Sequence, residues 1–260
     1  MTLRQTVRLE WITAPALALL IVAAWQMYVS IYHTSPFLLP SPGTVFQTFS
    51  GLIRVRSTWL HLWVTAAETL TGFTFACVSG IGMGLVVGKL PWLERTVNPF
   101  VVAMQLIPKV ALVPLFVVWF GFGSASKIIV SAVLAFFPIF VNTVLGVKSV
   151  DPGYRELMTA LNANRFYRLW CLDLPATAPY VLSGMELGIV LAVIGCIVGE
   201  IIGGNSGLGY LLVAKMNAYQ TDGLFAVIVL LTLLGCCFYA VLGLLRRVVI
   251  PWHGSAGKPE

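Results

Sequence analysis

Long apolar stretches separated by short polar ones set the plan of this chain. Runs at 11–31, 61–87, 99–120, 127–147, 176–202 and 223–245 each approach the roughly 20 residues that cross a bilayer as a helix. None shows the period-two alternation of a strand. The pattern predicts an all-α integral membrane protein with six transmembrane helices, since lipid leaves backbone polar groups no partner outside a helix or a closed barrel. The first run follows Arg4 and Arg8 and is too long for a signal peptide, so it reads as a first membrane helix. Pro108 and Pro114 predict a kinked or broken third span. The fourth carries Pro138. Gly80, Gly84 and Gly88 form a doubled GxxxG in the second span. Gly184/Gly188 and Gly195/Gly199/Gly203 do the same in the fifth, and such spacing permits close helix approach. Between spans, 44–53 predicts a short interfacial helix, 89–98 a short polar turn, and 203–222 a loop with a short helix at 208–219.

One polar segment, 148–175, stands out between the fourth and fifth spans. Asp151 is a good N-cap and Pro152 suits the first helical position. Tyr154, Leu157, Met158 and Leu161 then form one apolar stripe. Asn162 tolerates the left-handed conformation that ends helices. A second helix is expected over 163–172, with Phe166, Leu169 and Trp170 on one face and Arg165 and Arg168 on another, closed by Leu174-Pro175. Such a hairpin suits two roles equally: lying on lipid headgroups or docking a soluble partner.

Composition agrees with the pattern: 58% of the 260 residues are hydrophobic and 10% charged, where soluble domains have roughly 25%. The net charge of +6 needs no nucleic acid to explain it. With the N-terminus inside, Arg4, Arg8, Lys89, Arg95, Lys148, Arg155, Arg165, Arg168, Arg246, Arg247 and Lys258 are cytoplasmic. Arg54, Arg56, Lys127 and Lys215 are outside. This positive-inside bias puts the hairpin in the cytoplasm. The organisation expected is a cytoplasmic N-terminus (1–10), a single six-helix membrane domain (11–247, polar loop 148–175) and a cytoplasmic tail (248–260). The five cysteines lack metal-ligand spacing and read as neither a disulfide framework nor a metal site. Gly88-Lys89 fails as a phosphate loop, because Met83 and Leu90 stand where Gly and Ser/Thr are needed. Any ATP used must therefore bind another subunit, and no cofactor is expected. Glu68, Lys109 and Glu186 fall inside spans, with Glu200 near an outer end. Either they pair, locking helices to Lys109, or they line a solute route. No nucleophile–base pair or carboxylate dyad suggests an enzyme.

The chain resembles the permease subunits of binding-protein-dependent ABC importers, in the branch of nitrate, taurine and aliphatic-sulfonate permeases. The resemblance rests on Leu39-Pro40-Ser41-Pro42, on Ile107 to Leu115, on Trp119-Phe120-Gly121-Phe122-Gly123, on Phe136-Phe137-Pro138, on Val198-Gly199-Glu200 and on Gly207-Leu208-Gly209-Tyr210. It implies a type I importer permease in a bacterial inner membrane, a homodimer over two cytoplasmic ATPase subunits, fed by a periplasmic or lipid-anchored binding protein. The hairpin falls where the family has its EAA loop, so the resemblance favours docking, through Glu156, Leu157, Leu161, Asn162, Ala163 and Arg165. Glu156-Leu157-Met158 replaces Glu-Ala-Ala, and Asn162 the usual glycine. Glu68 and Glu186 stand where sulfonate permeases tend to have Arg. Glu68, the run Gln105 to Lys109 and Val198-Gly199-Glu200 look more like permeases for the pyrimidine precursor of thiamine, riboflavin or a related aromatic compound. Nitrate, taurine or an aliphatic sulfonate is the alternative cargo. The route residues expected are Glu68, Lys109, Glu186 and Glu200. A stand-alone secondary transporter is the remaining rival, although no internal repeat supports it.

Overall fold

The computed structural model describes residues 3–251, as backbone only over 3–12 and at 14. Of the tail expected at 248–260, residues 252–260, with Lys258, lie outside the described residues, and α-helix continues through Val249. Among the described residues there are eleven α-helices: α1 Leu3–Tyr32, α2 Pro42–Leu52, α3 Arg56–Lys89, α4 Pro91–Leu106, α5 Val113–Phe120, α6 Ser124–Lys148, α7 Pro152–Ala160, α8 Arg165–Arg168, α9 Leu174–Gly203, α10 Leu208–Asn217 and α11 Thr221–Val249. No strand occurs among the described residues. Among the described residues five helical stretches are long and apolar enough to span a membrane, six when the bent pair of α4 and the segment Lys109–Phe120 is counted as one span.

Two compact units make up the described chain. The smaller comprises 1–59 and 211–230. In it Ser41 caps α2 by accepting from the Thr44 N–H at 3.2 Å, and Pro42 sits in the first turn, where no N–H is missed. The Thr48 hydroxyl donates to Asp222 at 2.7 Å, and the Thr221 hydroxyl to the Phe37 carbonyl at 2.7 Å. The apolar face of α1 is exposed at Leu17, Leu19, Leu20 and Ile21. That is the expected surface of a helix whose solvent is lipid.

In the larger unit (60–210 and, among the described residues, 231–251), α6 is the central helix. A Cβ added at Gly72, Gly80, Gly84 or Gly88 of α3 would sit 2.7, 3.2, 2.6 or 2.8 Å from the Cβ of Ser131, Ile139, Thr143 or Val147. Each pair is 59 positions apart, so α3 and α6 run parallel in one register. On α9 the order reverses. Gly184 faces Asn142, Gly188 Ile139, Gly195 Ser131 and Gly199 Lys127, an antiparallel pair. Only hydrogen at these positions lets the three backbones approach this closely, as the GxxxG spacing predicts. Phe73, Ala76, Ala135, Ile139, Ile189 and Ala192 fill the seam between them.

Two boundaries differ from the sequence reading. The predicted polar turn 89–98 is helix from Pro91 onward. Proline suits the first turn, and Glu94 and Arg95 are good helix formers despite their charge. The third span is broken, as its prolines predict: α4 ends at Leu106, a 3₁₀ turn runs Lys109–Leu112, and α5 follows at 80° to α4. Leu174-Pro175 does not close the hairpin. Residues 169–173 form a π turn that leads straight into α9, with the Leu174 N–H bonded to the Leu169 carbonyl. The wider turn absorbs the hydrogen bond that Pro175 cannot donate.

Candidate functional site

Three features of the larger unit gather its polar side chains. The first is buried where α3, α6 and α9 meet. Glu68 and Lys127 lie in the same 59-residue register as the glycine pairs, which brings Lys127 Nζ 3.3 Å from Glu68 Oε1. Both are almost fully enclosed, with side chains 2% and 5% exposed. Glu200 of α9 completes the cluster. Its Oε1 accepts from the Thr65 hydroxyl at 2.7 Å and its Oε2 from the Gly209 N–H at 2.7 Å. The Cys196 thiol lies 3.8 Å from Glu68 Oε2 and from Glu200 Oε1.

This cluster also holds the start of α10. Three successive backbone N–H groups, of Gly207, Leu208 and Gly209, donate to His61 Nδ1 at 3.1 Å, to Thr65 Oγ1 at 2.8 Å and to Glu200 Oε2. The first turn of a helix leaves such donors without internal partners, and here side chains of α3 and α9 take them. Gly207 has φ +105, and a Cβ on it would collide with the Glu200 carboxylate. The Gly207-Leu208-Gly209 motif is thus a backbone built around Glu200. The donor atoms of Glu68, Cys196 and Glu200 lie within 4.8 Å of one another, close enough to hold a metal ion. Each already has a protein partner, and the Lys127 ammonium supplies the positive charge. The arrangement is therefore a satisfied polar network of the kind buried charges require.

The second feature is an open groove of about 470 Å³ at the break between α4 and α5. Gln105, Lys109, Phe137 and Asn142 give it polar and aromatic character, and Leu134, Leu187 and Leu191 give it apolar walls. Lys109 Nζ stands 4.7 Å from the centroid of the Phe137 ring and 3.4 Å from the Gln105 carbonyl. It forms no ion pair with a described residue.

The third is the hairpin. Asp151 caps α7 through the Gly153 N–H at 2.7 Å, and Asn164 caps α8 through the Tyr167 N–H at 2.7 Å. Asn162 has φ 53, the left-handed turn expected of it. Arg155 anchors α7 to the end of α6 by donating to the Val147 carbonyl at 2.9 Å. The apolar side chains point outward: Tyr154, Leu157, Leu161, Phe166 and Trp170 are all more than half exposed. Glu156, Asn162 and Arg165 are exposed beside them, and Ala163 is half-buried.

The residues expected to line one route are thus divided. Glu68 and Glu200 are in the buried cluster, and Lys109 is alone in the groove. Glu186 pairs with Arg246 of α11 at 3.0 Å. The alternative pairing of Lys109 with Glu68 or Glu186 does not occur. Lys127, placed outside the membrane by its position at a span start, is the most deeply enclosed cation among the described residues. Its signal was available in the i, i+4 row Lys127, Ser131, Ala135, Ile139, Thr143 and Val147, a stripe of α6 that is buried throughout.

Residues 80–250 match the family described as the inner membrane component of binding-protein-dependent transport systems. The chain is 38% identical to the formylaminopyrimidine transport permease protein ThiX of Halalkalibacterium halodurans, over 90% of this chain and 93% of that one. It is 32% identical to the riboflavin transport system permease protein RibX of Chloroflexus aurantiacus, over 97% and 95%. It is 31% identical to a putative aliphatic sulfonates transport permease protein, SsuC of Bacillus subtilis, over 95% and 90%. Its fold is also that of a chain from inward-facing MetNI methionine ABC transporter crystals, with a TM-score of 0.62 at 22% identity over 72% of this chain and 93% of that one. The fold agrees with these matches: the chain belongs to the family of inner membrane components of binding-protein-dependent transport systems, as a permease subunit of an ABC importer.

Proposed function

We propose that this permease carries a flat, nitrogen-rich aromatic solute of the pyrimidine or riboflavin type, along a route that includes the groove at Lys109. The carrying observation is the lining of that groove. It presents one aromatic ring, one ammonium and two carboxamides, on Gln105 and Asn142, among aliphatic walls. A heteroaromatic solute has an apolar face for Phe137 and an edge of carbonyl and ring-nitrogen groups for Lys109 and the amides. Relatives named for a formylaminopyrimidine and for riboflavin support the class.

Working alone the chain has no means of using ATP, and a separate ATPase subunit docks on the hairpin. The exposed stripe of Leu157 and Leu161, with Glu156, Asn162, Ala163 and Arg165, suits a partner that covers apolar area and pairs charges at its rim. A second copy of the chain closes the route, and α4, which has no buried residue, suits that contact. A binding protein delivers solute on the far side of a bacterial inner membrane, with the hairpin and both termini in the cytoplasm. Glu68, Glu186 and Glu200 act as structural ties beside the route and do not line it.

One observation favours a second reading. Because the glutamates are paired and Glu68 and Glu200 enclosed, they do not repel an anion, and unpaired Lys109 would attract a sulfonate. Uptake by proteoliposomes holding the permease, its ATPase and its binding protein separates the two. Riboflavin or formylaminopyrimidine should be imported, Phe137→Ala and Lys109→Ala should each cut uptake at least tenfold, and Leu161→Asp should release the ATPase. Import of taurine or an alkanesulfonate, with the heterocycles excluded, overturns the aromatic reading.

A further inference from the structure

At the opposite end of α3 and α6 from the buried cluster lies a wider cavity, of about 750 Å³. Lys89, Arg95, Lys148, Arg155 and Arg168 line it, against Glu94 and Asp173. Five cations against two carboxylates leave a surplus of three positive charges. Both carboxylates are already engaged, Asp173 by Lys89 at 3.3 Å and Glu94 by Lys148 at 2.7 Å. Arg155 uses one nitrogen on the Val147 carbonyl. Arg95 and Arg168 meet no carboxylate among the described residues. A cavity that gathers guanidinium groups beyond its own carboxylates is built for an anion. The planar fork of Arg matches two oxygens of a phosphate at once.

We propose that this cavity binds the phosphate of an anionic phospholipid headgroup. A lipid, in preference to a soluble anion, is indicated by what surrounds the opening. The last turn of α3 leaves Val86 54% exposed, and α4 begins with Leu90-Pro91-Trp92, with Trp92 66% exposed. Tryptophan beside lysine and arginine at the end of a spanning helix marks the membrane–water boundary. Basic pockets between helices on the cytoplasmic side are suited to anionic headgroups. The inference rests on the proposed orientation, which puts this end in the cytoplasmic leaflet, and is independent of the cargo. Each of the helix ends α3, α4, α6 and α7 contributes a lining residue. A bound headgroup therefore bridges the entry to the hairpin and the start of the broken span. Through that bridge, lipid composition sets how firmly the hairpin is held.

The test uses the full chain in complex with its ATPase, in nanodiscs of equimolar phosphatidylcholine and phosphatidylglycerol, with retained lipid counted by native mass spectrometry. The wild-type complex should keep phosphatidylglycerol several-fold over phosphatidylcholine. The double variant Arg95→Gln/Arg168→Gln should lose that preference, and Arg54→Gln/Arg56→Gln, exposed residues outside the cavity, should keep it. Displacement of the lipid by excess inorganic phosphate supports the phosphate as the recognised group. Four results overturn the proposal: no preference in the wild type, an unchanged preference in the double variant, inorganic phosphate bound at the cavity with no lipid preference, or loss of the ATPase from the double variant with retained lipid unaltered. The last would assign these cations to carboxylates of the partner.

Discussion

Helices α3 and α6 carry ion pairs toward both ends, and the two ends are built on opposite terms. At one, Glu68, Lys127 and Glu200 are enclosed, and every partner is supplied by the protein. At the other, Lys148 and Lys89 are 52% and 40% exposed and face an open basic cavity. A sealed charge is costly to strand, because no water can replace a lost partner. A more exposed pair such as Lys148–Glu94 is screened and readily replaced, while Lys89 reaches from water to the enclosed Asp173 carboxylate. The closed end is therefore a fixed joint that sets the register of α3, α6 and α9 and the start of α10. The open end holds its hairpin mainly through partly exposed contacts, which suits the proposed docking of an ATPase there.

The largest effect is expected from Lys127→Met. It strands Glu68 in a dry site and should cost about 3–5 kcal/mol, read as a lower thermal midpoint in detergent. Lys127→Met/Glu68→Met should restore much of the loss. If the double variant is no better than the single, the pair is not the joint described. Next come the glycine contacts. Gly84→Ala puts a Cβ 2.6 Å from that of Thr143 and should cost about 1–3 kcal/mol by overpacking. Gly82→Ala, in the same helix with nothing within 4 Å, should be neutral or stabilise by up to about 1 kcal/mol. Equal midpoints for the two would show that α3 and α6 are not in this close register. The smallest effect is at the open end. Lys148→Gln should change stability by less than about 1 kcal/mol, and a shift as large as that of Lys127→Met would erase the contrast between the ends.

Much of this architecture was legible in the residues. Span length and apolarity marked the membrane helices, and Asp151-Pro152 and Asn162 marked the start and the turn of the hairpin, because caps and left-handed turns depend on local chemistry. Pro108 and Pro114 announced the broken span for the same reason. The polar stretch at 89–98 was misread because charge indicates exposure more directly than it indicates a turn. The join at 169–175 was misread because a π turn leaves no residue-type signature to set against that of Pro175.

The intramembrane charges show where reading the chain alone stops. That Glu68, Lys109, Glu186 and Glu200 would be exceptional followed from the cost of charge in lipid. Which of them meet depended on helix register. Register is set by the glycine seams, and they align Lys127 with Glu68 across 59 positions. Lys127 looked like a residue at a span end until its neighbours closed over it. By itself, then, the sequence determined the helices, the breaks, the hairpin and the family to which they belong. Tertiary structure alone decided which charges are sealed and which stay open, because burial belongs to packed helices and to no single stretch of chain.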